Sequence, residues 1–263
     1  MREGLLEYVT ILSILLKRFH KKEWRLYFKE RLGIHPLIKK SILLHANAGG
    51  DVVGLNGFVQ QLRKNYPEQS ILLSVDNFDA YRFAKQINLF DYVFFRPFGL
   101  SWANKHMLRS LGVRLFLPIK MLYFADLIKQ CSTLKIPSII IRCHLRKEYF
   151  NYPEIREITT KTRGVYPLLA SVIAETGRDT ETVKSLGTEN VIVGGSLKYD
   201  LGYMNIPKEK LKRLQKQLCM TQEKLLVCVG ARYGEEEIVL NIFSKLRGWK
   251  LFIAPRYPEQ SIE

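Results

Sequence analysis

Short apolar runs alternate with amphipathic stretches along most of the chain. The apolar runs have strand length and many β-branched residues, whereas the stretches between them have helical spacing. The predicted strands are Ser41–Ala46, Ile71–Val75, Tyr92–Phe95, Arg114–Leu117, Ser138–Ile141, Leu168–Ile173 and Val191–Val193. The predicted helices between them are Val52–Tyr66, Asp79–Gln86, Trp102–Leu111, Leu122–Cys131 and Asp179–Leu186. This alternation predicts an α/β fold with a doubly wound parallel sheet.

The pattern changes after Asp200. Leu201–Pro207 predicts an irregular linker, and a new series follows it: helix Lys208–Leu218, strand Leu225–Val229, helix Glu235–Leu246 and strand Lys250–Ala254. We therefore expect an N-terminal amphipathic segment (1–33), a Rossmann-like domain (34–200), and a linker with the beginning of a second Rossmann-like domain (201–263). Two strands do not make a stable sheet alone. Either this second piece packs on the first domain, or the chain is a truncated form of a longer protein.

The net charge of +16 narrows the choice of partners. The positive electrostatic field of such a chain favours binding to nucleic acid, phosphorylated ligands or an anionic membrane surface. No RNA- or DNA-binding module is recognisable, which disfavours nucleic acid. The four cysteines, at 131, 143, 219 and 228, form no C-x-x-C pair and lie at no zinc spacing. They predict reduced thiols and no metal site.

The N-terminus has an apolar stretch, Leu5–Leu16, which is interrupted by Glu7 and followed by a basic stretch, Lys17–Arg25. It is too short to span a bilayer, and the charge follows the apolar residues, which is the wrong order for a signal peptide. The pattern predicts a helix that lies in the membrane interface. The alternative is an ordinary packed first helix with a solvated basic face.

The first candidate for chemistry follows the first predicted strand, in His45-Ala46-Asn47-Ala48-Gly49-Gly50-Asp51. Gly49-Gly50 predicts a tight turn, and Asp51 then lies at a helix N-terminus beyond the carboxyl end of a parallel strand. Open α/β sheets bind ligands at that edge, and helix N-termini favour anionic groups there. Asp51 is therefore a helix cap or a catalytic base.

Three further groups of residues follow predicted strands. Residues 194–200 hold two glycines with Ser196 and Lys198, which suit a phosphate or carboxylate, although a turn between domains has the same composition. Residues 230–237 combine flexible backbone, one arginine and three glutamates, and the glutamates also stabilise the helix dipole. Residues 255–259 place Arg256 at a strand end, where its guanidinium can bind a phosphate or carboxylate.

Taken in order, these motifs resemble the Kdo transferase family, GT-B glycosyltransferases that add 3-deoxy-D-manno-oct-2-ulosonic acid (Kdo) to the lipid A precursor. Residues 45–51 match the family's H-x-x-S-V-G-E, and residues 195–200 match its G-[NS]-L-K-[FY]-D. Residues 230–236 fall on S-T-H-x-G-E-E, and residues 255–260 on P-R-H-P-E-R. Before the first strand, residues 30–33 match E-R-[LYW]-G. The resemblance extends from about residue 5 to the last residue.

The resemblance implies roles for individual residues. Asp51 would be the catalytic carboxylate, and His45, Gly49 and Gly50 would bind the acceptor and its phosphate. The donor would contact Ser196, Lys198, Arg232, Gly234, Glu235, Glu236, Arg256 and Glu259. The donor substrate would be CMP-Kdo, with no metal and no other cofactor.

The partners implied by the resemblance are CMP-Kdo, a lipid A precursor and the anionic inner-membrane surface, and no nucleic acid. The expected location is the cytoplasmic face of the bacterial inner membrane, with peripheral or N-terminal attachment. A GT-B enzyme for another sugar nucleotide is an alternative. The L-K-Y-D and P-R-Y-P-E sequences argue against it.

The chain departs from the family pattern at several positions. Asp51 stands where the family has glutamate, and Lys120 and Leu122 stand where it has the two glutamates of E-T-E-L-W-P. Residues 142–146 fall on N-A-R-L-S, and two histidines of the later motifs are Arg232 and Tyr257. The family's G-G-H-N and E-P-A segments have no counterpart before residue 263. These departures favour a second hypothesis, a catalytically inactive relative that keeps only acceptor or lipid-surface binding.

Overall fold

The computed structural model describes residues 22–47, 49–120, 125–201, 207–218, 224–232 and 234–257. The chain divides into two compact units between residues 202 and 203. The strands are β1 (Ser41–His45), β2 (Ser70–Val75), β3 (Tyr92–Phe95), β4 (Val113–Pro118), β5 (Ile139–Cys143), β6 (Ser171–Ala174), β7 (Val191–Val193), β8 (Lys224–Ala231) and β9 (Trp249–Pro255).

The α-helices are α1 (Lys22–Arg31), α2 (Gly49–Gly54), α3 (Asn56–Asn65), α4 (Phe78–Ile87), α5 (Ser101–Ser110), α6 (Ala125–Thr133), α7 (Pro153–Thr162), α8 (Gly177–Ser185), α9 (Lys208–Gln217) and α10 (Glu235–Phe243). Short 3₁₀ helices cover Lys147–Asn151, Arg163–Leu168 and Leu197–Leu201. Among the described residues, no helix has the length and apolar character needed to cross a bilayer.

The first unit is built on parallel strands in the order β3-β2-β1-β4 and β5-β6-β7. Parallel bridges from Phe116 to Ser138 and from Ile119 to Ile141 join β4 to β5. The strand order therefore reverses direction between β1 and β4, because β2 follows β1 on one side and β4 lies on the other. Such a reversal opens a crevice at the carboxyl ends of the strands, where doubly wound folds bind ligands. The predicted parallel α/β architecture is confirmed.

Alternate strand residues form a core on each side of the sheet. Leu43 and Phe116 pack with α5, α6 and α8, whereas Leu44 and Leu117 pack with α2, α3 and α4. Strands β1, β2 and β3 are largely buried on both faces, as their continuous apolar runs predict. Burial also raises the pKa of Cys131 and Cys143 to about 12, so these thiols stay protonated at neutral pH.

The segment after β1 differs from the prediction. Gly49 and Gly50 lie inside α2 rather than in a tight turn, so the turn prediction is wrong. Neither glycine has a positive φ, so both fit a right-handed helix. The helix starts at Gly49 rather than at the predicted Val52. It also breaks at Leu55, whose backbone N–H bonds back to Val52 O at 3.2 Å. Gly54 weakens the helix at this point, while Leu55 is fully buried.

Two other differences lie between β5 and β6. The strand predicted over Leu168–Ile173 is shorter, because Pro167 and Leu168 belong to a 3₁₀ helix and β6 covers only Ser171–Ala174. Pro167 has no N–H to give to a strand ladder. Helix α7 was not predicted, although Pro153 at its first turn is a typical helix start.

The second unit contains α9, the parallel pair β8 and β9, and α10 between the two strands. The predicted strand–helix–strand order is confirmed. Residues 202–206 of the predicted linker lie outside the described residues, as do residues 1–21 of the predicted amphipathic segment. The described part of that segment, α1, packs on the first unit through aromatic contacts, with Tyr27 4.8 Å from Phe95 and stacked on Phe78 at 5.2 Å.

Candidate functional site

Asp51 lies in the crevice where the strand order reverses. It is the third residue of α2, which follows β1 after a short connection, and only 4% of the residue is exposed. A carboxylate in such a buried place is costly unless its charge is paired. Its partners therefore define the site.

Two cations from neighbouring strand ends contact the same oxygen of Asp51. Lys120 Nζ lies 2.8 Å from Asp51 Oδ1, and Arg142 Nη1 lies 2.9 Å from it. Lys120 comes just after β4, and Arg142 is the fourth residue of β5. The topology thus brings β1, β4 and β5 together at one carboxylate. The Arg142 side chain is 8% exposed, whereas that of Lys120 is 40% exposed.

Both cationic residues have strained backbones. The φ angles of Lys120 and Arg142 are +70° and +55°, in the left-handed region that side-chain-bearing residues rarely adopt. Each such residue costs on the order of 1–3 kcal/mol and tends to occur at functional sites. The β5–β6 register also shifts between Ile140 and Cys143, around Arg142. The strain at these positions accompanies the two contacts with Asp51.

A second carboxylate, that of Glu175, also contacts Arg142. Its Nε donates to Glu175 Oε1 at 2.6 Å. Glu175 Oε2 lies 3.3 Å from His144 Nδ1, and Tyr149 Oη lies 2.6 Å from His144 Nε2. Acidic and basic groups therefore alternate from Asp51 to His144. Arg142 is thus held by carboxylates on both sides, whereas the Lys120 side chain is the more exposed of the two partners of Asp51.

His45 is buried in the strand ends rather than exposed to the crevice. Only 1% of the residue is accessible. Its Nδ1 is 2.9 Å from Ser74 Oγ, and its Nε2 is 2.6 Å from Asn47 Oδ1 and 3.5 Å from Asp76 Oδ2. The predicted acceptor-binding role of His45 stays a prediction, and these contacts give it a part in ordering the loop before Asp51.

Asp76 connects His45 to two arginines. Arg96 Nε donates to Asp76 Oδ1 at 2.9 Å, and Arg31 Nη2 donates to the Asp76 carbonyl at 2.7 Å. Burial disfavours the charged carboxylate, but the hydrogen bond and charge of His45 and those of Arg96 outweigh it, so the pKa of Asp76 lies well below its usual range. This cluster fixes the carboxyl ends of β1, β2 and β3.

The E-R-L-G sequence at residues 30–33 has a structural explanation. Glu30 accepts hydrogen bonds from Phe95 N at 2.9 Å and from Tyr92 Oη at 3.0 Å, and burial raises its pKa. Gly33 has φ +76°, and an added Cβ would lie 2.2 Å from Ala103 O. The motif therefore attaches α1 to the sheet and to α5.

The glycines after β7 are also needed by the fold. A Cβ on Gly194 would lie 2.3 Å from Ile173 Cγ2, and Gly195 has φ +77°. They lead into a 3₁₀ helix that carries Lys198, whose Cγ lies 3.6 Å from the position of a Cβ on Gly54. Lys198 is exposed, and Ser196 is half-buried. Lys198 thus lies beside α2, the helix that carries Asp51.

In the second unit, the predicted donor residues flank two strand ends. Gly234 has φ +85° and precedes α10, while Glu235 Oε2 accepts a hydrogen bond from Arg232 N at 2.8 Å. Arg256 N donates to Ala231 O at 2.8 Å, which brings the ends of β8 and β9 together. The guanidinium of Arg256 lies 5.9 Å from the ring of Tyr257.

Glu235 therefore stabilises the β8–α10 turn, and it also lies in the first turn of α10, where the alternative prediction placed it as a partner of the helix dipole. Glu236 is half-buried in the first turn of α10. Glu259 lies outside the described residues. The donor-binding roles of these side chains stay predictions.

Sequence reasoning missed the group around Asp51. Lys120 and the 142–146 stretch were singled out only as departures from a family pattern, and Glu175 was not singled out. A lysine and an arginine at successive strand ends were the available signal. Their convergence on Asp51 depends on the strand order, which the sequence pattern does not specify.

A family model and a curated relative both point to the same family. A family model described as 3-deoxy-D-manno-octulosonic-acid transferase (kdotransferase) matches residues 26–201. A 3-deoxy-D-manno-octulosonic acid transferase of Haemophilus influenzae is 21% identical over 269 residues, covering 96% of this chain and 60% of that protein. A bifunctional glycosyltransferase/methyltransferase of Fusobacterium nucleatum is 22% identical over 255 residues, covering 92% of this chain and 39% of that protein. The chain thus spans less than two thirds of the length of these curated relatives.

Solved structures show the same fold at lower identity. A UDP-GlcNAc 2-epimerase of Neisseria meningitidis bound to UDP-GlcNAc has a TM-score of 0.61 at 14% identity, covering 81% of this chain and 64% of that one. A ugt transferase of Siraitia grosvenorii in complex with UDP has a TM-score of 0.50 at 10% identity, covering 86% and 67%. These likenesses establish an α/β fold of GT-B type.

Proposed function

The chain belongs to the 3-deoxy-D-manno-octulosonic-acid transferase family, and on that premise we propose that it serves in the transfer of Kdo from CMP-Kdo to a lipid A precursor, in lipopolysaccharide synthesis. The observation that carries this proposal is the buried Asp51 at the strand-order reversal, held by Lys120 and Arg142. A carboxylate and two cations at this edge suit an acceptor hydroxyl with phosphates nearby.

In the proposed reaction, Asp51 takes the proton of the acceptor hydroxyl. The hydroxyl oxygen forms a bond to the anomeric carbon of Kdo, and the bond from that carbon to the CMP phosphate oxygen breaks. CMP leaves with the electron pair, through an oxocarbenium-like transition state. The base must come within hydrogen-bond distance of the hydroxyl, and Asp51 reaches about 1.5 Å less far than a glutamate would.

Lys120 and Arg142 have different parts in this proposal. Both pair with the Asp51 carboxylate and fix the position of its Oδ1. Lys120 is the more exposed. We expect its ammonium to turn towards an acceptor phosphate and release part of Asp51 Oδ1. Arg142 stays in place because Glu175 holds its Nε.

For the donor, we propose that CMP-Kdo contacts residues from the motifs matched above, namely Ser196, Lys198, Arg232, Gly234, Glu235, Glu236, Arg256 and Glu259. The proposed reaction requires no metal or other cofactor, because CMP is a stable leaving anion.

We further propose peripheral attachment to the cytoplasmic face of the bacterial inner membrane. The acceptor is a lipid, and the net charge of +16 favours an anionic surface. Nucleic acid is not a proposed partner.

One observation favours a second candidate function. Asp51 Oδ1 already has two cationic partners within 2.9 Å, which occupy an oxygen that would have to face the acceptor hydroxyl. A relative that binds the lipid acceptor without transferring Kdo would need this ion cluster only for stability and phosphate recognition.

One experiment distinguishes the transferase from the acceptor-binding protein. The purified chain is incubated with CMP-Kdo and a tetra-acylated lipid A precursor, and both Kdo transfer and precursor binding are measured. Transfer by the chain, lost in Asp51→Ala while the precursor still binds, supports the transferase. Binding without transfer by the wild type supports the acceptor-binding protein. Neither transfer nor binding contradicts both.

A further inference from the structure

One side of helix α5 carries a tryptophan and two basic residues. Positions 102, 105 and 109 lie on one side of the helix, whereas Ala103 and Met107 are fully buried. Trp102 is 58% exposed, Arg109 is exposed, and Lys105 is half-buried between them. An exposed tryptophan followed by basic residues along one helix face is typical of elements at the membrane interface.

The chain segment 31–38 runs beside α5 and is fixed to that helix and to the loop before it. Hydrogen bonds join Phe98 N to Arg31 O at 2.9 Å, His106 Nδ1 to Gly33 O at 2.8 Å, and Ile38 N to Ser110 O at 2.8 Å. The segment, the loop before α5 and the first turn of α5 together expose Leu32 (37%), Ile34 (44%), Leu37 (88%), Phe98 (38%), Leu100 (42%) and Trp102 (58%). We call these six residues the α5 face. Exposed apolar side chains on neighbouring segments are typical of an interaction surface.

A basic cavity of about 350 Å³ lies at the other end of α5. Its cations are Lys39, Arg109, Arg114 and Lys135, and its apolar wall includes Leu108 and Val113. All four cations are exposed, and none forms an ion pair with a carboxylate among the described residues.

Four like charges around one cavity repel one another in the absence of an anion. The carboxyl ends of α5 and α6 favour Arg109 and Lys135 nearby, but they do not account for Lys39 and Arg114, which flank the starts of β1 and β4. A phosphate group would balance these charges.

We propose that the α5 face docks on an anionic lipid bilayer. Leu37 and Trp102 enter the boundary between head groups and acyl chains, and the cavity cations bind lipid phosphates. Charge complementarity selects a bilayer as the occupant, because an apolar face bordered by unpaired cations matches anionic head groups above an apolar interior. This inference rests on the proposed membrane attachment, and it moves the contact beyond the N-terminal segment to a surface that includes Trp102.

Tryptophan fluorescence tests the docking surface locally. The chain has three tryptophans, at 24, 102 and 249. The double variant Trp24→Phe/Trp249→Phe retains Trp102, and the matched control Trp24→Phe/Trp102→Phe retains Trp249 in the second unit. With phosphatidylglycerol-containing vesicles that carry brominated acyl chains, we expect quenching and a blue shift of Trp102, and neither for Trp249.

A cation pair tests the cavity. The variant Arg114→Gln/Lys135→Gln removes two cavity charges, and the control Lys64→Gln/Lys184→Gln removes two exposed charges on α3 and α8. Each cation near an anionic surface contributes roughly fivefold in affinity. We therefore expect the cavity variant to bind the vesicles at least tenfold more weakly than the control. Competition by free glycerol phosphate at millimolar concentration would show that the cavity prefers a soluble phosphate, and would contradict lipid docking.

Failure of the α5 face as the docking surface and failure of membrane attachment itself give different results. Vesicle binding without quenching of Trp102, or with equal losses in the two charge variants, overturns the α5 face and leaves membrane attachment intact. No binding of the wild type to anionic vesicles overturns both. Kdo transfer to a detergent-dispersed acceptor is a separate readout, which the outcome at the α5 face does not alter.

Discussion

Arg142 Nη1 lies 2.9 Å from Asp51 Oδ1, although the two residues are 91 positions apart in the sequence. The pair joins the helix after β1 to a strand on the far side of β4. It is nearly fully buried, with side-chain exposures of 8% and 3%. A buried ion pair of this kind is weak evidence for stability in itself, but breaking it leaves an uncompensated charge. Loss of this contact should therefore affect both the stability of the first unit and the position of the Asp51 carboxylate, which is the candidate base.

Removing the arginine should reveal this coupling. Arg142→Met leaves Asp51 and Glu175 with one cation fewer, and we expect the free energy of unfolding to fall by about 3 kcal/mol. Urea denaturation at pH 7, followed by circular dichroism, measures the loss. The control is Glu157→Gln, which breaks the exposed pair with Lys161 and should cause no measurable change. Equal stabilities of the two variants would show that the buried pair has no such role.

The glycines of two matched motifs should respond in opposite ways to alanine. Gly33→Ala places a Cβ 2.2 Å from a backbone oxygen at φ +76°, so we expect a loss of more than about 2 kcal/mol. Gly50→Ala meets nothing within 4 Å inside α2, so we expect a gain of up to about 1 kcal/mol.

Thermal denaturation of both glycine variants tests this contrast. If Gly50→Ala keeps the fold but loses binding of the lipid A precursor, the glycine serves the close approach of a ligand. Destabilisation by Gly50→Ala would contradict the described geometry of α2.

His35 should make the protein sensitive to acid. Burial lowers its pKa from 6.5 to about 4. Between these values the unfolded chain binds a proton that the native protein does not, so native stability falls as the pH falls through this window. The loss from His35 should reach about 2 kcal/mol near pH 5.

The variant His35→Phe isolates that contribution, since the ring already lies 4.6 Å from Phe94. Unfolding free energies of both proteins are compared at pH 7.5 and pH 5. The wild type should lose about 2 kcal/mol more than the variant, while all other groups titrate alike in both. Parallel pH profiles would show that His35 titrates normally in the native state.

The strands were the most predictable part of the fold. Tyr92–Phe95 and Val191–Val193 are found with the predicted bounds, because short β-branched or aromatic runs between turns leave few alternatives. The region around Gly49 was less predictable, since glycine pairs occur in turns and, as here, at the start of a short helix. Local sequence does not distinguish these cases when tertiary packing, as at Leu55, decides where the helix breaks.

The candidate site was predictable only in part. Asp51 was found because a carboxylate after a buried strand is a local feature. Its pairing with Lys120 and Arg142 depends on strand order and on positive φ angles at both cations, neither of which follows from residue spacing. The departure from the family pattern at Lys120 becomes meaningful only once its ammonium is located on Asp51.

The most direct test of the proposed function is Kdo transfer by Asp51→Asn and Asp51→Glu beside the wild type, with CMP-Kdo and the lipid A precursor at equal concentrations of folded protein. Asparagine keeps the shape of the side chain but cannot take the hydroxyl proton, whereas glutamate restores the longer carboxylate. We expect transfer by the wild type, a loss of at least about 100-fold in Asp51→Asn, and retained or increased transfer in Asp51→Glu. Equal transfer by the wild type and Asp51→Asn, or none by any of the three, would contradict a catalytic role for this carboxylate.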